Sequence, residues 1–200
     1  MSQDRAQFIE RVREAHEVLG LGEDCLRDGV RGSSKQPLCD EATELVSVGE
    51  DVYGRPQRLA PAAARAWFRL QEAAAAEEVS LQLVSAFRGV DYQRELIERK
   101  LAAGQELEAI LQLSAAPGFS EHHTGNAIDV TTEGSAALEV EFELSECFRW
   151  LQRRAPSFGF SLTYPRNNPF GIAYEPWHWC FAASEVKPPA DPESCSRSVT

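Results

Sequence analysis

The chain has 200 residues, enough for one domain with an extension and a sizeable core, and its 43% hydrophobic and 26% charged content is ordinary for a globular protein. A formal net charge of -11 argues against nucleic-acid binding, which draws on clustered Lys and Arg, and against docking on an anionic membrane. No apolar run approaches the roughly 20 residues that span a bilayer. Charges between Asp4 and Glu17 interrupt any signal-peptide core, so the sequence points to a cytoplasmic protein, or to a periplasmic one whose leader has been removed.

Phe8, Ile9, Val12, Ala15, His16 and Leu19 recur at helical spacing and predict an amphipathic helix over 2–19, with His16 as a packing residue. Residues 22–40 are rich in turn formers and read as an irregular connection, followed by a short strand at 45–48. Pro61 opens a strong helix through Glu78, because proline suits a first-turn position. Alternation from Val79 to Phe87 predicts a strand ending in the Ser85-Ala86-Phe87-Arg88 turn. Helices follow over 91–103, closed by Gly104, and over 106–113. A loop at 116–124 feeds a strand at 126–131. A helix over 145–154 carries Phe148, Trp150 and Leu151, and strands at 160–164 and 172–181 complete the core. Pro188, Pro189 and Pro192 mark a disordered tail. The pattern is α+β, with helices flanking a small, mostly antiparallel sheet. It divides into a helical extension with its loop (1–57), a main domain (58–183) and the tail (184–200).

The chemistry concentrates in two stretches: Ser120 to Asp129, and Glu175-Pro176-Trp177-His178. His122, Asp129 and His178 make a three-ligand set for one Zn2+ ion with a position left for water, the arrangement of catalytic rather than structural zinc. The polar Thr124-Gly125-Asn126 sequence favours a loop feeding a strand, so that both can converge on one ion while His178 arrives from a distant strand. Glu175, three residues before His178, is a separate carboxylate placed to act as a base. Cys25, Cys39, Cys147, Cys180 and Cys195 show no C-x-x-C spacing; they read as free thiols in an intracellular protein, while in an oxidising compartment Cys25 and Cys39 could bridge a loop.

The S-x-H-x-x-G-x-A-x-D pattern from Ser120 to Asp129, followed by E-P-W-H at Glu175 to His178, resembles the VanY-like D-alanyl-D-alanine carboxypeptidases. These are zinc peptidases of the hedgehog/DD-peptidase fold. The likeness takes in Ser85-Ala86-Phe87-Arg88 with Tyr92-Gln93, Phe158-Gly159-Phe160 and Tyr164-Pro165, and departs at Phe87 and Gly89, where tyrosine and serine are usual. The resemblance implies that His122, Asp129 and His178 bind zinc and that Glu175 is the catalytic carboxylate. It gives Arg88 the task of holding the substrate or stabilising the developing oxyanion, which suits a guanidinium that cannot lose its charge. Ser120 and Gln93 would hydrogen-bond the substrate's C-terminal end. His123 occupies a non-ligand position, supporting the ligands or exposed. Glu121 either orients a ligand imidazole or is a loop charge. Trp177 and Trp179 are expected to pack around the site.

The implied reaction is release of a C-terminal D-alanine from peptidoglycan stem peptides. A D,D-carboxypeptidase in the cytoplasm would attack the pentapeptide precursors of the wall. A cytoplasmic location therefore favours L,D-carboxypeptidase action, tetrapeptide to tripeptide, in murein recycling. D,D-carboxypeptidases, D,D-dipeptidases and endopeptidases share the fold. A non-catalytic zinc-containing module that binds wall peptides is a rival of another class, opposed by the presence of Glu175 and Arg88. A structural zinc centre completed by Cys147 or Cys180 is a third reading.

Overall fold

The computed structural model describes residues 3–22 and 36–183. The expected tail, Cys25, Cys195 and most of the irregular connection lie outside the described residues. Five α-helices are present among the described residues: α1 (Gln3–Val18), α2 (Pro61–Ala76), α3 (Val90–Ala102), α4 (Leu107–Leu113) and α5 (Glu146–Arg154). The six strands are β1 (Val46–Glu50), β2 (Pro56–Leu59), β3 (Gln82–Ser85), β4 (Ala127–Thr131), β5 (Phe160–Leu162) and β6 (His178–Phe181). No described helix is long and apolar enough to cross a membrane.

The architecture is α+β with two antiparallel sheets, a β1–β2 hairpin and a four-stranded sheet in the order β3-β4-β6-β5. β2 is an element the sequence does not announce, because Pro-Gln-Arg-Leu carries no alternation. It forms on β1, pairing Leu59 with Val46 and Arg58 with Ser47. Asp51 organises the turn between them, its carboxylate accepting hydrogen bonds from the Tyr53 and Arg55 amides, Arg55 Nε and Gln57 Nε2. Conversely, only 178–181 of the expected 172–181 strand is a strand. Upstream, Ala173 and Glu175 give their amides to Gln112 and Tyr164 carbonyls, and Pro176 has no amide to give.

Strand geometry separates core from site. Alternate residues of β4 point to opposite faces. Ile128 and Val130 enter the main apolar cluster with Trp67 and Leu70 of α2 and Phe148 and Leu151 of α5. Asp129 therefore faces the other side. There α1, α3 and α4 are packed through two smaller clusters, one around Ile97, Ile110 and Phe119, the other around Phe8, Val12 and Val90. α1 also reaches the loop ahead of His122: His16 Nε2 donates to the Pro117 carbonyl at 2.8 Å, and the ring packs against Phe119.

Candidate active site

β4 is the centre of the site. In register, Asp129 lies opposite His178 of β6 on one side and opposite Ser85 of β3 on the other, where the β3 ladder is irregular between Leu83 and Ser85. Directly paired residues on neighbouring strands share a face, so the sheet sets the Asp129 and His178 side chains together. His122 comes from a single 3-10 turn, Glu121–Thr124, where the sequence predicts only loop. Gly125 ends that turn in the left-handed region (φ +68°), and the chain enters β4 two residues later. A Cβ there would stand 2.9 Å from the Ala60 backbone nitrogen, which itself donates to the Gly125 carbonyl. Only glycine meets both demands.

The structure brings His122, Asp129 and His178 together, all buried, with one donor atom from each within 4.8 Å of the others. His122 Nε2 is 3.2 Å and His178 Nδ1 3.0 Å from the Asp129 carboxylate. Two donors held about 2.1 Å from one tetrahedral zinc ion lie roughly 3.4 Å apart, close to both spacings. The outer ring nitrogens fix the tautomers. His122 Nδ1 donates to the Ala86 carbonyl at 2.6 Å and His178 Nε2 donates to Glu121 at 2.9 Å. Each ring thus turns its remaining nitrogen toward Asp129, and hydrogen bonds of this kind orient metal-ligating histidines. The donor set fits one Zn2+ ion. Cys147 is buried in the main apolar cluster, and neither it nor Cys180 joins the donor group; both, with Cys39, are free thiols.

The charges of the cluster are strongly coupled. Burial raises the Asp129 pKa, but the His122 and His178 contacts and Arg88 outweigh it and hold the carboxyl well below its usual range. Burial also opposes protonation of His178, yet its bonds to Asp129 and Glu121 raise it to about 10. Burial, reinforced by Arg88, lowers His122 to about 4.

Glu175 is buried beside the triad, with Oε2 3.9 Å from His178 Nδ1. Burial raises its pKa to about 7, His178 and Arg88 opposing and Asp129 and Glu121 adding to the rise. Arg88 donates through one Nη1 to Ser85 Oγ at 2.9 Å and to Asp129 Oδ2 at 3.1 Å, and its buried Nε has no partner. His123, expected to support the ligands or lie exposed, is fully buried. Its Nδ1 donates to the Arg88 carbonyl at 2.6 Å and its Nε2 accepts from the Gly118 amide at 3.0 Å. It ties the Arg88 turn to the loop that carries Ser120.

A cleft of about 290 Å³ opens over the cluster, lined by Arg88, Gln93, Ser120, Tyr164, Glu175 and Trp177 among others. The three expected ligands His122, Asp129 and His178 border it as well, so the expected metal, catalytic and substrate-binding residues all meet at one cavity. Trp179, by contrast, is in the core. Sequence reasoning noted Tyr164 without giving it a role, though its ring stacks on His178 at 4.7 Å, and passed over Lys100, which also lines the cleft. The signal for Lys100 was present: Gln93, Leu96 and Lys100 lie three and four residues apart, on one face of a helix.

A sequence model of the VanY D-alanyl-D-alanine carboxypeptidase family matches residues 56–184. The chain belongs to that family. This VanY-family chain is 35% identical over 134 residues to VanXYC of Enterococcus gallinarum, a bifunctional D-Ala-D-Ala dipeptidase and D-Ala-D-Ala carboxypeptidase, a match covering 64% of this chain and 67% of that one. Its structure is similar to that of the LdcB LD-carboxypeptidase, with a TM-score of 0.63 and 28% identity over 70% of this chain and 69% of that one. It is also similar to the vancomycin-resistance D,D-pentapeptidase VanY solved with Zn(II), with a TM-score of 0.59 and 26% identity over 74% of this chain and 85% of that one. The chain spans less than half the length of two further curated relatives that it matches, from Bacillus subtilis and Enterococcus faecalis.

Proposed function

We propose that this VanY-family chain is a zinc-dependent carboxypeptidase that releases the C-terminal D-alanine of peptidoglycan stem peptides, converting tetrapeptide to tripeptide. The observation that carries the reading is Glu175: a buried carboxylate with a pKa raised to about 7, in the same cleft as a two-histidine, one-aspartate cluster but outside its donor group. A module that only binds peptides has no use for such a base.

His122, Asp129 and His178 would hold the zinc. The chemistry zinc supplies when bound is Lewis acidity toward water and the scissile carbonyl. Glu175 takes the proton of the attacking water on its carboxylate and passes it to the departing amine of D-alanine, a task suited to a pKa near the working pH. Arg88 holds Asp129 in place through Nη1 and borders the cleft, where its guanidinium can meet the oxygen on which negative charge develops. Ser120 and Gln93 border the same space and position the peptide.

The likeness to LdcB supports the L,D preference, and trimming of tetrapeptides suits murein recycling in the cytoplasm. The likeness to VanXYC keeps D,D cleavage as the rival. Zinc-loaded protein should be incubated with stem tri-, tetra- and pentapeptides and the products weighed. D-alanine released from tetrapeptide alone is the expected result. Release from pentapeptide alone would replace the L,D reading with the D,D one, and binding without release from any peptide would sink the enzyme reading.

A further inference from the structure

The cleft holds a second cation that the reaction described above does not use. α3 turns Gln93, Leu96 and Lys100 toward the cavity, and the chain leaving α4 supplies Ser114 and Ala115 opposite them. Lys100 Nζ donates to Ser114 Oγ at 2.8 Å, and Gln93 Nε2 donates to the Ala115 carbonyl at 2.8 Å. These two bonds clamp α3 to the end of α4 and fix a polar corner on the cavity wall. The Gln93 Oε1 atom is buried there with no partner.

Arg88 and Lys100 differ in what they have left to give. The Arg88 guanidinium is ion-paired with the Asp129 carboxylate at 3.1 Å, so much of its charge is already answered. Lys100 has a neutral hydroxyl as its partner and no carboxylate at ion-pair distance among the described residues. Burial lowers its pKa and the Arg88 charge adds to that, while Glu175 partly offsets both. A half-buried ammonium facing a cavity with only a hydroxyl for company is stabilised by an incoming anion.

We propose that Lys100, seated on Ser114, recognises the free carboxylate at the C-terminus of the peptide and so restricts this site to exopeptidase action. The inference rests on the carboxypeptidase reading of the cleft and adds the residue that reads the chain end. With Glu175 beside the triad and Lys100 on the α3 wall, a peptide whose last residue is small can place its final carbonyl carbon over the cluster and its terminal carboxylate on the ammonium.

The test is binding and turnover of a tetrapeptide ending in D-alanine as the free acid, against the same peptide as its C-terminal amide. The proteins are the zinc-loaded wild type, Lys100→Met and Lys100→Arg. Affinity is read from the fluorescence of Trp177, which borders the cleft. The wild type should prefer the acid by about 10- to 100-fold, the worth of one charge-assisted hydrogen bond. Lys100→Met should lose that preference by weakening the acid alone, and Lys100→Arg should keep most of it. Equal affinity of Lys100→Met and wild type for the acid would overturn the proposal. So would an equal loss on acid and amide, which would place Lys100 against a side-chain carboxylate of the peptide or in packing alone. If the wild type binds both peptides and cleaves neither, the carboxypeptidase reading fails, while the acid-to-amide ratio still decides the role of Lys100.

Discussion

Glu121 accepts a hydrogen bond from His178 Nε2 at 2.9 Å while Nδ1 of the same ring stands 3.0 Å from Asp129, so one imidazole is held between two carboxylates 8 residues apart in the chain. The outer bond leaves His178 no freedom of tautomer. Burial raises the Glu121 pKa, but the bond and charge of His178 outweigh it and keep Glu121 ionised below the usual carboxylate range. An ionised acceptor makes the ring more electron-rich toward a cation. Glu121→Ala is therefore expected to weaken zinc binding about 10- to 100-fold, the usual cost of losing such an orienting partner. Competition against a chromophoric chelator measures it. A variant that melts earlier but binds zinc as tightly as the wild type would reduce Glu121 to a structural loop charge.

Glu175→Ala should lower turnover by about 100- to 10,000-fold, the range expected for loss of a positioned proton carrier. Zinc content should stay at one ion per chain, because Glu175 is outside the donor group. The pH dependence has a definite sign. Protonated Glu175 cannot take a proton from water, so kcat/KM should fall as pH falls through about 7, or through a lower value once a cation draws the carboxyl down. A variant at position 175 that keeps the wild-type acid limb would assign that limb to another group.

Much of the site could be read before any fold was known, because its chemistry sits in two short stretches with distinctive donors. What could not be read is how they meet. Asp129 and His178 are 49 residues apart and share a face only because β4 and β6 pair in one register. His123 misled for a related reason: in sequence it is a spare histidine next to a ligand. Its neighbours Gly118 and Arg88 come from two different loops, and only their convergence makes it a buried tie between them. β2 was hidden because its pairing depends on Asp51, a side-chain anchor that leaves no trace in hydrophobic periodicity.

Gly125→Ala should destabilise the fold by about 2 kcal/mol or more. The left-handed backbone costs a non-glycine residue roughly 1–2 kcal/mol, and the added Cβ meets backbone at Ala60 rather than a side chain that could swing away. For a chain of this size a loss of 2 kcal/mol lowers Tm by roughly 4–8 °C. The Gly125 amide also donates to the His122 carbonyl at 3.2 Å, so zinc affinity should fall with stability. Thermal melts with and without zinc test both effects. An unchanged melting temperature would show that the turn relaxes without strain.

His16 links acidity to the brace that α1 places on the site loop. Its Nε2 is hydrogen-bonded to the Pro117 carbonyl, and its Nδ1 is buried with no partner, so the folded state has no place for a second ring proton. Burial accordingly lowers its pKa below 6.5, the Pro117 bond offsetting part of the effect. In the unfolded chain the ring protonates near pH 6.5. Above that value both states carry a neutral ring and His16 costs nothing. As pH falls through 6.5 toward the lowered folded pKa, the unfolded state gains protons that the folded state refuses, and stability drops by at most about 1.4 kcal/mol per pH unit. Urea titrations of zinc-free wild type and His16→Gln at pH 7.5 and 5.5 isolate the effect, since other titrating groups are common to both proteins. The wild type should lose more stability than the variant between the two pH values. Matching losses would mean that the ring accepts its proton in place, and that acid leaves the contact between α1 and the Pro117 loop intact.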